Sequence, residues 1–167
     1  MKKDIDRFSK DIKKAMKLSF EKHKGMFDKA GMPYIFHIER VAQKAVTQEE
    51  IIVSYLHDLI EDTDITAKKL REYGFSKDIV FAVECLTRPK EISLDAKKGI
   101  SIKKIYNDNI YLKQLQQSTL ALRVKLYDLE DNMRLSRLKS IKQKDLDRYE
   151  RYKKLHQTIQ ILLQNED

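Results

Sequence analysis

The 167-residue chain carries 34 Lys and Arg against 26 Asp and Glu, for a net charge of +8, with only four glycines, two prolines and one cysteine. So little punctuation argues against a fold of many short strands and turns, and one thiol excludes an intramolecular disulfide. The basic balance suits an anionic partner such as a nucleotide, nucleic acid or membrane surface. A single all-α domain over residues 1-167 is expected. The start Met1-Lys2-Lys3-Asp4 is charged with no apolar core behind it. No run is long enough to span a membrane, so a soluble, cytoplasmic protein is expected. Cys85 sits in a helical pattern and reads as a buried structural residue.

Taken in order, Ile5, Phe8, Ile12, Ala15, Met16 and Phe20 recur at amphipathic spacing and predict a helix over 4–24, stopped at Gly25, with His23 packed at its end. Gly31 and Pro33 mark a loop whose Lys29 could reach a phosphate. A second helix over 34–45 turns Ile35, Ile38, Val41, Ala42 and Ala45 inward and carries His37 close to that set. Thr47 and Glu50 form a capping-box pattern that opens a central helix lasting to Thr63. Shorter helices follow over 67–73, stopped at Gly74, and over 77–86, started by Ser76. Residues 87–99 read as an exposed loop that could order over a ligand. Ser101 is expected to cap a helix with Ile102, Ile105, Tyr106 and Ile110, and Ser118 the next, whose apolar face meets Asp128 and then Asn132. A last helix over 145–164 directs Leu146, Tyr149, Leu155, Ile159, Leu162 and Leu163 inward and carries Arg148 and Tyr152 as an i,i+4 pair.

The chemistry concentrates in Leu56-His57-Asp58-Leu59-Ile60-Glu61-Asp62-Thr63. Residues three or four apart share a helix face, so four ligands or proton carriers project from under two turns, and carboxylates in an apolar run call for a cation. His37, His57, Asp58 and Asp128 make a mixed nitrogen and oxygen set suited to manganese, iron or zinc rather than calcium, with manganese the first choice. Glu61 and Asp62 then remain as catalytic groups, one to orient or deprotonate water and one to assist the leaving group. Hydrolysis of a phosphate ester needs no protein nucleophile in such a site.

Several words of the sequence resemble one family. His23-Lys24-Gly25, Lys29-Ala30-Gly31, Pro33-Tyr34-Ile35-Phe36-His37, His57-Asp58 with Glu61-Asp62-Thr63, Lys125-Leu126-Tyr127-Asp128 and Asn132-Met133-Arg134 resemble the hydrolase domain of RelA/SpoT-type alarmone enzymes, within the HD-domain metal-dependent phosphohydrolases. The matching blocks run from about 15 to 153. The resemblance implies an all-helical HD fold, a manganese ion and removal of 3′-pyrophosphate from (p)ppGpp in the stringent response, by a small hydrolase without a synthetase domain. It makes His37, His57, Asp58 and Asp128 metal ligands and Glu61 and Asp62 the catalytic pair. Asn132 matches a nucleoside contact, Lys29 a basic nucleotide-loop residue, and Arg148 with Tyr152 a phosphate-binding pair. Lys24 and Arg137 are further phosphate candidates by position and charge.

Three positions depart from the family pattern. Asp28 stands where arginine is frequent in guanosine-specific members, Ile38 where proline is usual, and Asp131 where histidine commonly precedes Asn132; none of the three is expected to touch the metal set. An aspartate in place of a planar guanidinium leaves the base open between guanine and adenine, so (p)ppApp stands beside (p)ppGpp. Two other readings remain: an HD phosphohydrolase of the 5′-nucleotidase type, and a catalytically silent nucleotide- or RNA-binding protein. A small-molecule nucleotide is the expected partner, with homo-oligomerisation open; no RNA-binding signature accompanies the basic charge, so nucleic acid is not expected.

Overall fold

The computed structural model describes residues 9–88, 93–95, 100–101 and 108–165. Its described helices are α1 (Lys10–Lys22), α2 (Ile35–Ala42), α3 (Gln48–Leu56), α4 (Leu59–Asp62), α5 (Ala67–Glu72), α6 (Lys77–Leu86), α7 (Asp108–Leu115), α8 (Thr119–Asn132) and α9 (Gln143–Gln164), with one 3-10 turn at Leu135–Arg137. The fold is all-α. A short antiparallel pair, β1 (Ser93–Asp95) and β2 (Ile100–Ser101), is the one departure among the described residues. No described helix is long and apolar enough to cross a membrane.

Helix α3 is the centre. Its Ile52, Val53, Ser54, Tyr55 and Leu56 are all buried, and it packs against α1, α2, α6 and α8. A helix buried on every side needs no polar stripe, which explains why this stretch lacks one. Val53, Leu56, Ile38, Val41, Leu59, Val80 and Val83 reach zero exposure in one continuous core. Each such side chain contributes roughly 1.5–3 kcal/mol relative to an exposed one. The long α8 crosses this core, touching α2, α3 and α6 on one side and α9 on the other. Side chains that project from α2, α3 and α8 into the shared space therefore meet with little freedom.

Local signals set most helix starts. Ser76 Oγ accepts from the Ile79 N–H at 3.4 Å and Ser118 Oγ from the Ala121 N–H at 3.2 Å, as hydroxyl caps should. Thr47 Oγ1 likewise accepts from Glu50 N–H, but the reciprocal half of the expected capping box is absent. Glu50 instead accepts from the Val46 N–H at 2.8 Å and from the Tyr127 hydroxyl at 3.0 Å, because at 2 % exposure its carboxylate needs several donors.

The structure corrects three expectations. The central helix does not run through to Thr63: it stops at Leu56 and restarts at Leu59. His57 Nδ1 bonds the Ser54 carbonyl at 2.7 Å, occupying the acceptor that a continuing helix would offer to the Asp58 N–H. Ser101 pairs with Ser93, and the next described helix opens at Asp108; the expected helix start after Ser101, with Ile102, Ile105 and Tyr106, lies outside the described residues, as do Ile5 and Phe8. Part of the expected loop over 87–99 forms β1. Leu146, assigned inward, is 41 % exposed, and Phe20 and Ile110, read in the apolar patterns of their helices, are 43 % and 40 % exposed. In α1 the buried stripe runs Ile12, Ala15, Ser19 and then His23, which leaves Phe20 at its edge. Cys85 is buried in the core.

Candidate metal centre and nucleotide pocket

Three helix segments bring their polar residues to one point. His37 projects from α2, His57 and Asp58 from the break between α3 and α4, and Asp128 from α8. One donor atom each from His37, His57 and Asp128 lies within 4.8 Å of the others. His37 Nε2 is 3.2 Å from Asp128 Oδ1, and His57 Nε2 is 2.9 Å from Asp58 Oδ2. The cross distances, His37 Nε2 to Asp58 Oδ2 and His57 Nε2 to Asp128 Oδ1, are both 3.8 Å. Both Nε2 atoms are fully buried and neither makes an aligned hydrogen bond. Two buried ring nitrogens and two carboxylate oxygens converging without hydrogen bonds between the rings fit a divalent transition ion. The residues present could hold one.

The other ring nitrogens are fixed. His57 Nδ1–H donates to the Ser54 carbonyl, and His37 Nδ1–H donates to Asp131 Oδ2 at 2.7 Å. Each bond fixes the Nδ1 proton, so that the neutral ring turns its Nε2 lone pair toward the centre. Asp131 is held in turn by Arg40, whose Nε and Nη2 donate to its two oxygens at 2.6 and 3.0 Å. The expectation that position 131 stands apart from the metal set is therefore wrong. One turn of α8 separates Asp128 from Asp131, so the second carboxylate reaches the same imidazole from behind.

Other groups complete the surround; spacing singled out Asn132 beside Asp128, but not Tyr34 or Lys125. Tyr34 donates its hydroxyl to Asp58 Oδ2 at 2.6 Å. Lys125 Nζ donates to Asp128 Oδ2 at 2.7 Å, and Asn132 Nδ2 to Asp128 Oδ1 at 2.5 Å. Lys125 lies on the i,i+3 diagonal of Asp128, a signal that spacing could have supplied. Burial pushes the Lys125 ammonium down, but the Asp128 and Tyr111 beside it outweigh that and hold it above its ordinary value. Asp128 is correspondingly held well below the carboxylate range: burial opposes this, and Lys125 with the two imidazoles prevails.

Glu61 and Asp62 follow on α4. Glu61 Oε2 accepts the backbone N–H of Arg88 at 3.0 Å, and burial is the main cause of its raised carboxyl pKa. Asp62 is pushed up to about 6, by desolvation first and then by the charges of Asp58 and Glu61. With Asp58, Tyr34, Lys125 and Asn132 they line a cavity of about 470 Å³ open to solvent. Lys29, Arg137 and Tyr152 line it too; Arg148 lines an adjoining cavity, and Lys24 lines neither. Asp28 is turned away from any stacking role. Its Oδ1 accepts the N–H groups of Ala30 and Met32, and its Oδ2 holds Arg137 Nη1 at 3.0 Å. Gly31, at φ +78°, gives this tight turn the left-handed residue it needs.

No family model matches the chain. A GTP pyrophosphokinase of Myxococcus xanthus is 32% identical over 127 residues, which is 74% of this chain and 17% of that protein. A guanosine-3′,5′-bis(diphosphate) 3′-pyrophosphohydrolase of Spiroplasma citri is 34% identical over 130 residues, 75% of this chain and 17% of that protein. One of the same description from Aquifex aeolicus is 32% identical over 101 residues, 58% of this chain and 14% of that protein. The chain thus matches under a fifth of the length of these curated relatives. A solved structure described as a metazoan ortholog of SpoT that hydrolyzes ppGpp and plays a role in starvation responses shares the fold: TM-score 0.69 at 22% identity, over 90% of this chain and 85% of that one. By sequence the chain is similar to a segment of RelA/SpoT-type enzymes, and it shares the all-helical fold of that SpoT ortholog.

Proposed function

We propose that the chain is a metal-dependent alarmone hydrolase that removes the 3′-pyrophosphate from (p)ppGpp or a related nucleotide such as (p)ppApp. The observation that carries this reading is the meeting of two buried, unpartnered imidazole Nε2 atoms with Asp58 and Asp128, beside the raised carboxyls of Glu61 and Asp62. The names of the curated relatives and of the structural neighbour support the substrate class.

His37, His57, Asp58 and Asp128 would hold the ion, with manganese favoured for a mixed nitrogen and oxygen set. When bound, it supplies Lewis-acid stabilisation of a phosphate oxygen and a water that ionises near neutral pH. The remaining work falls to the chain. Glu61 keeps Oε2 on the Arg88 N–H, which leaves Oε1 to orient the attacking water and take its proton. A water oxygen bonds to the phosphorus attached at the 3′ position as the P–O3′ bond breaks, and pyrophosphate leaves. Asp62, with its carboxyl at about 6, is the better placed of the pair to return a proton to O3′. Lys125 offsets charge at Asp128, and Asn132 and Lys29 line the space for the nucleotide.

A manganese-supplemented assay that follows pyrophosphate release from 3′-pyrophosphorylated guanosine and adenosine nucleotides tests the reading. Release of pyrophosphate is expected. Orthophosphate from an ordinary nucleoside monophosphate, with no pyrophosphate from either alarmone class, would overturn it in favour of a nucleotidase. Tight nucleotide binding without any turnover would instead favour a silent binding protein.

A further inference from the structure

Glu61 is held by a backbone group: its Oε2 accepts the Arg88 N–H at 3.0 Å. Arg88 stands just beyond α6, so the direction of that N–H depends on how α6 ends. A helix leaves its last carbonyls without intrahelical partners, and many helices close with a left-handed glycine that turns the chain back over them. Here Thr87 takes that place in an extended conformation, at φ −78° and ψ 122°. The carbonyls of the α6 end are satisfied from another helix.

Two side chains of α7 do this. Tyr111 and Gln114 lie on one face of that helix, as residues at i,i+3 spacing do. The Tyr111 hydroxyl donates to the Leu86 carbonyl at 2.7 Å, and Gln114 Nε2 to the carbonyls of Glu84, Cys85 and Thr87 at 3.1, 2.9 and 2.9 Å. Tyr111 is fully buried, and burial pushes its phenol up to about 12, so the proton it donates stays in place. The same stretch of α7 grips the Arg88 side chain. Its guanidinium carbon sits 4.2 Å from the Tyr111 ring centroid, and its Nη2 donates to Asp108 Oδ1 at 3.2 Å. Arg88 is thus fixed through the carbonyls that precede it and through its own side chain, with its N–H aimed at Glu61. Tyr111 lines the cavity at the metal centre, whereas Gln114 lines neither cavity.

The geometry points to Tyr111 and Gln114 as positioning residues for Glu61, acting through the end of α6 and the Arg88 N–H. The inference rests on the hydrolase reading above. A carboxylate pinned at Oε2 cannot swing away, and Oε1 keeps its place beside the water it would deprotonate; displacing such a group by about 1 Å costs on the order of a hundredfold in rate.

The test uses the full-length, manganese-loaded protein and Gln114→Leu, which keeps the size of the side chain and removes its donors. The kcat for pyrophosphate release should fall by roughly ten- to a hundredfold, with KM and manganese affinity within about twofold. The acid limb of the kcat profile should move to higher pH, because a carboxylate that loses a donor holds its proton more tightly. Tyr111→Phe keeps the ring under Arg88 and should shift both quantities the same way; it carries the test if the first variant does not fold. Lys113→Gln, exposed on the same helix, should change neither. Hydrogen exchange at the Arg88 amide gives a readout without turnover: it should quicken by about tenfold in Gln114→Leu while the amides of α3 keep their protection. Unaltered Arg88 exchange, a fall in kcat with an unmoved acid limb, or an equal loss in Lys113→Gln would each overturn the proposal. If the unaltered protein releases no pyrophosphate, the hydrolase reading falls, and Arg88 exchange with the titration of the Glu61 carboxyl decides the clamp alone. Faster exchange with a raised Glu61 titration supports it; no change in either overturns it.

Discussion

The two ends of the candidate pocket are built on opposite principles. At the metal end every side chain is buried or nearly so and held by a further partner: His37 by Asp131, Asp131 by Arg40, His57 by the Ser54 carbonyl, Asp58 by Tyr34 and Asp128 by Lys125. At the other end, Lys139, Lys142, Lys144 and Arg151 stand exposed on long flexible stems. Stabilising a transition state demands donors fixed before the reaction begins, whereas holding a mobile polyphosphate needs only charge of the right sign within reach. The same pocket thus pairs an over-determined candidate reaction centre with an adaptable rim.

The contrast breaks most completely if the buried end tolerates loss. Asp58→Ala or Asp128→Ala should abolish metal-dependent pyrophosphate release, with calorimetry showing metal affinity lost as well. Either variant retaining full turnover would remove the site assignment. Glu61→Gln comes next: the amide can still meet the Arg88 N–H through its oxygen, but it cannot take a proton. Turnover should drop by roughly 10²- to 10⁴-fold while metal affinity holds. Loss of metal together with rate would make Glu61 a ligand rather than a base.

A smaller effect separates the ligands from what positions them. Asp131→Asn keeps the shape but weakens the grip on His37 Nδ1 and leaves Arg40 facing a neutral group. Metal affinity should fall by about 10- to 100-fold, the usual cost of losing a carboxylate behind a ligating imidazole. An unchanged dissociation constant would show that the packing of α2 against α8 orients His37 by itself.

Much of the buried end was legible in the sequence, and the reason is local. His57, Asp58, Glu61 and Asp62 sit close together in an apolar run, and Asp128 interrupts an apolar face, so each stands out against its own helix. The hydroxyl caps at Thr47, Ser76 and Ser118 were equally readable, since each bond spans three residues. What stayed hidden depends on distant partners. Asp131 is ordinary surface by pattern, and only the approach of α2 to α8 turns it toward His37, 94 positions away. The break at His57 is set by a ring nitrogen competing for a carbonyl, which no periodicity records. Asp28 read as a loss of base recognition, yet it ties a turn together and holds Arg137 across 109 positions.

The gentlest probe of the contrast is pH. Burial alone would depress His37, but the carboxylates of Asp128 and Asp131 outweigh it and raise its pKa to about 9. Without metal, then, the imidazole stays protonated across the neutral range and sits as a cation among carboxylates. Binding an ion requires that proton to leave. Metal affinity should therefore climb as pH rises toward 9, by at most about tenfold per unit from this group. Stability of the metal-free protein should move the other way. A raised folded-state pKa contributes stability that is complete below the unfolded value of 6.5 and is lost as pH passes through 9, on the order of 3 kcal/mol over that window. Melting temperatures should fall from pH 6.5 to 9 without metal and change less with manganese bound, since the ion takes the place of the proton. Parallel melting curves with and without metal would mean that His37 does not carry this proton. The reaction centre would then owe its rigidity to packing rather than to charge.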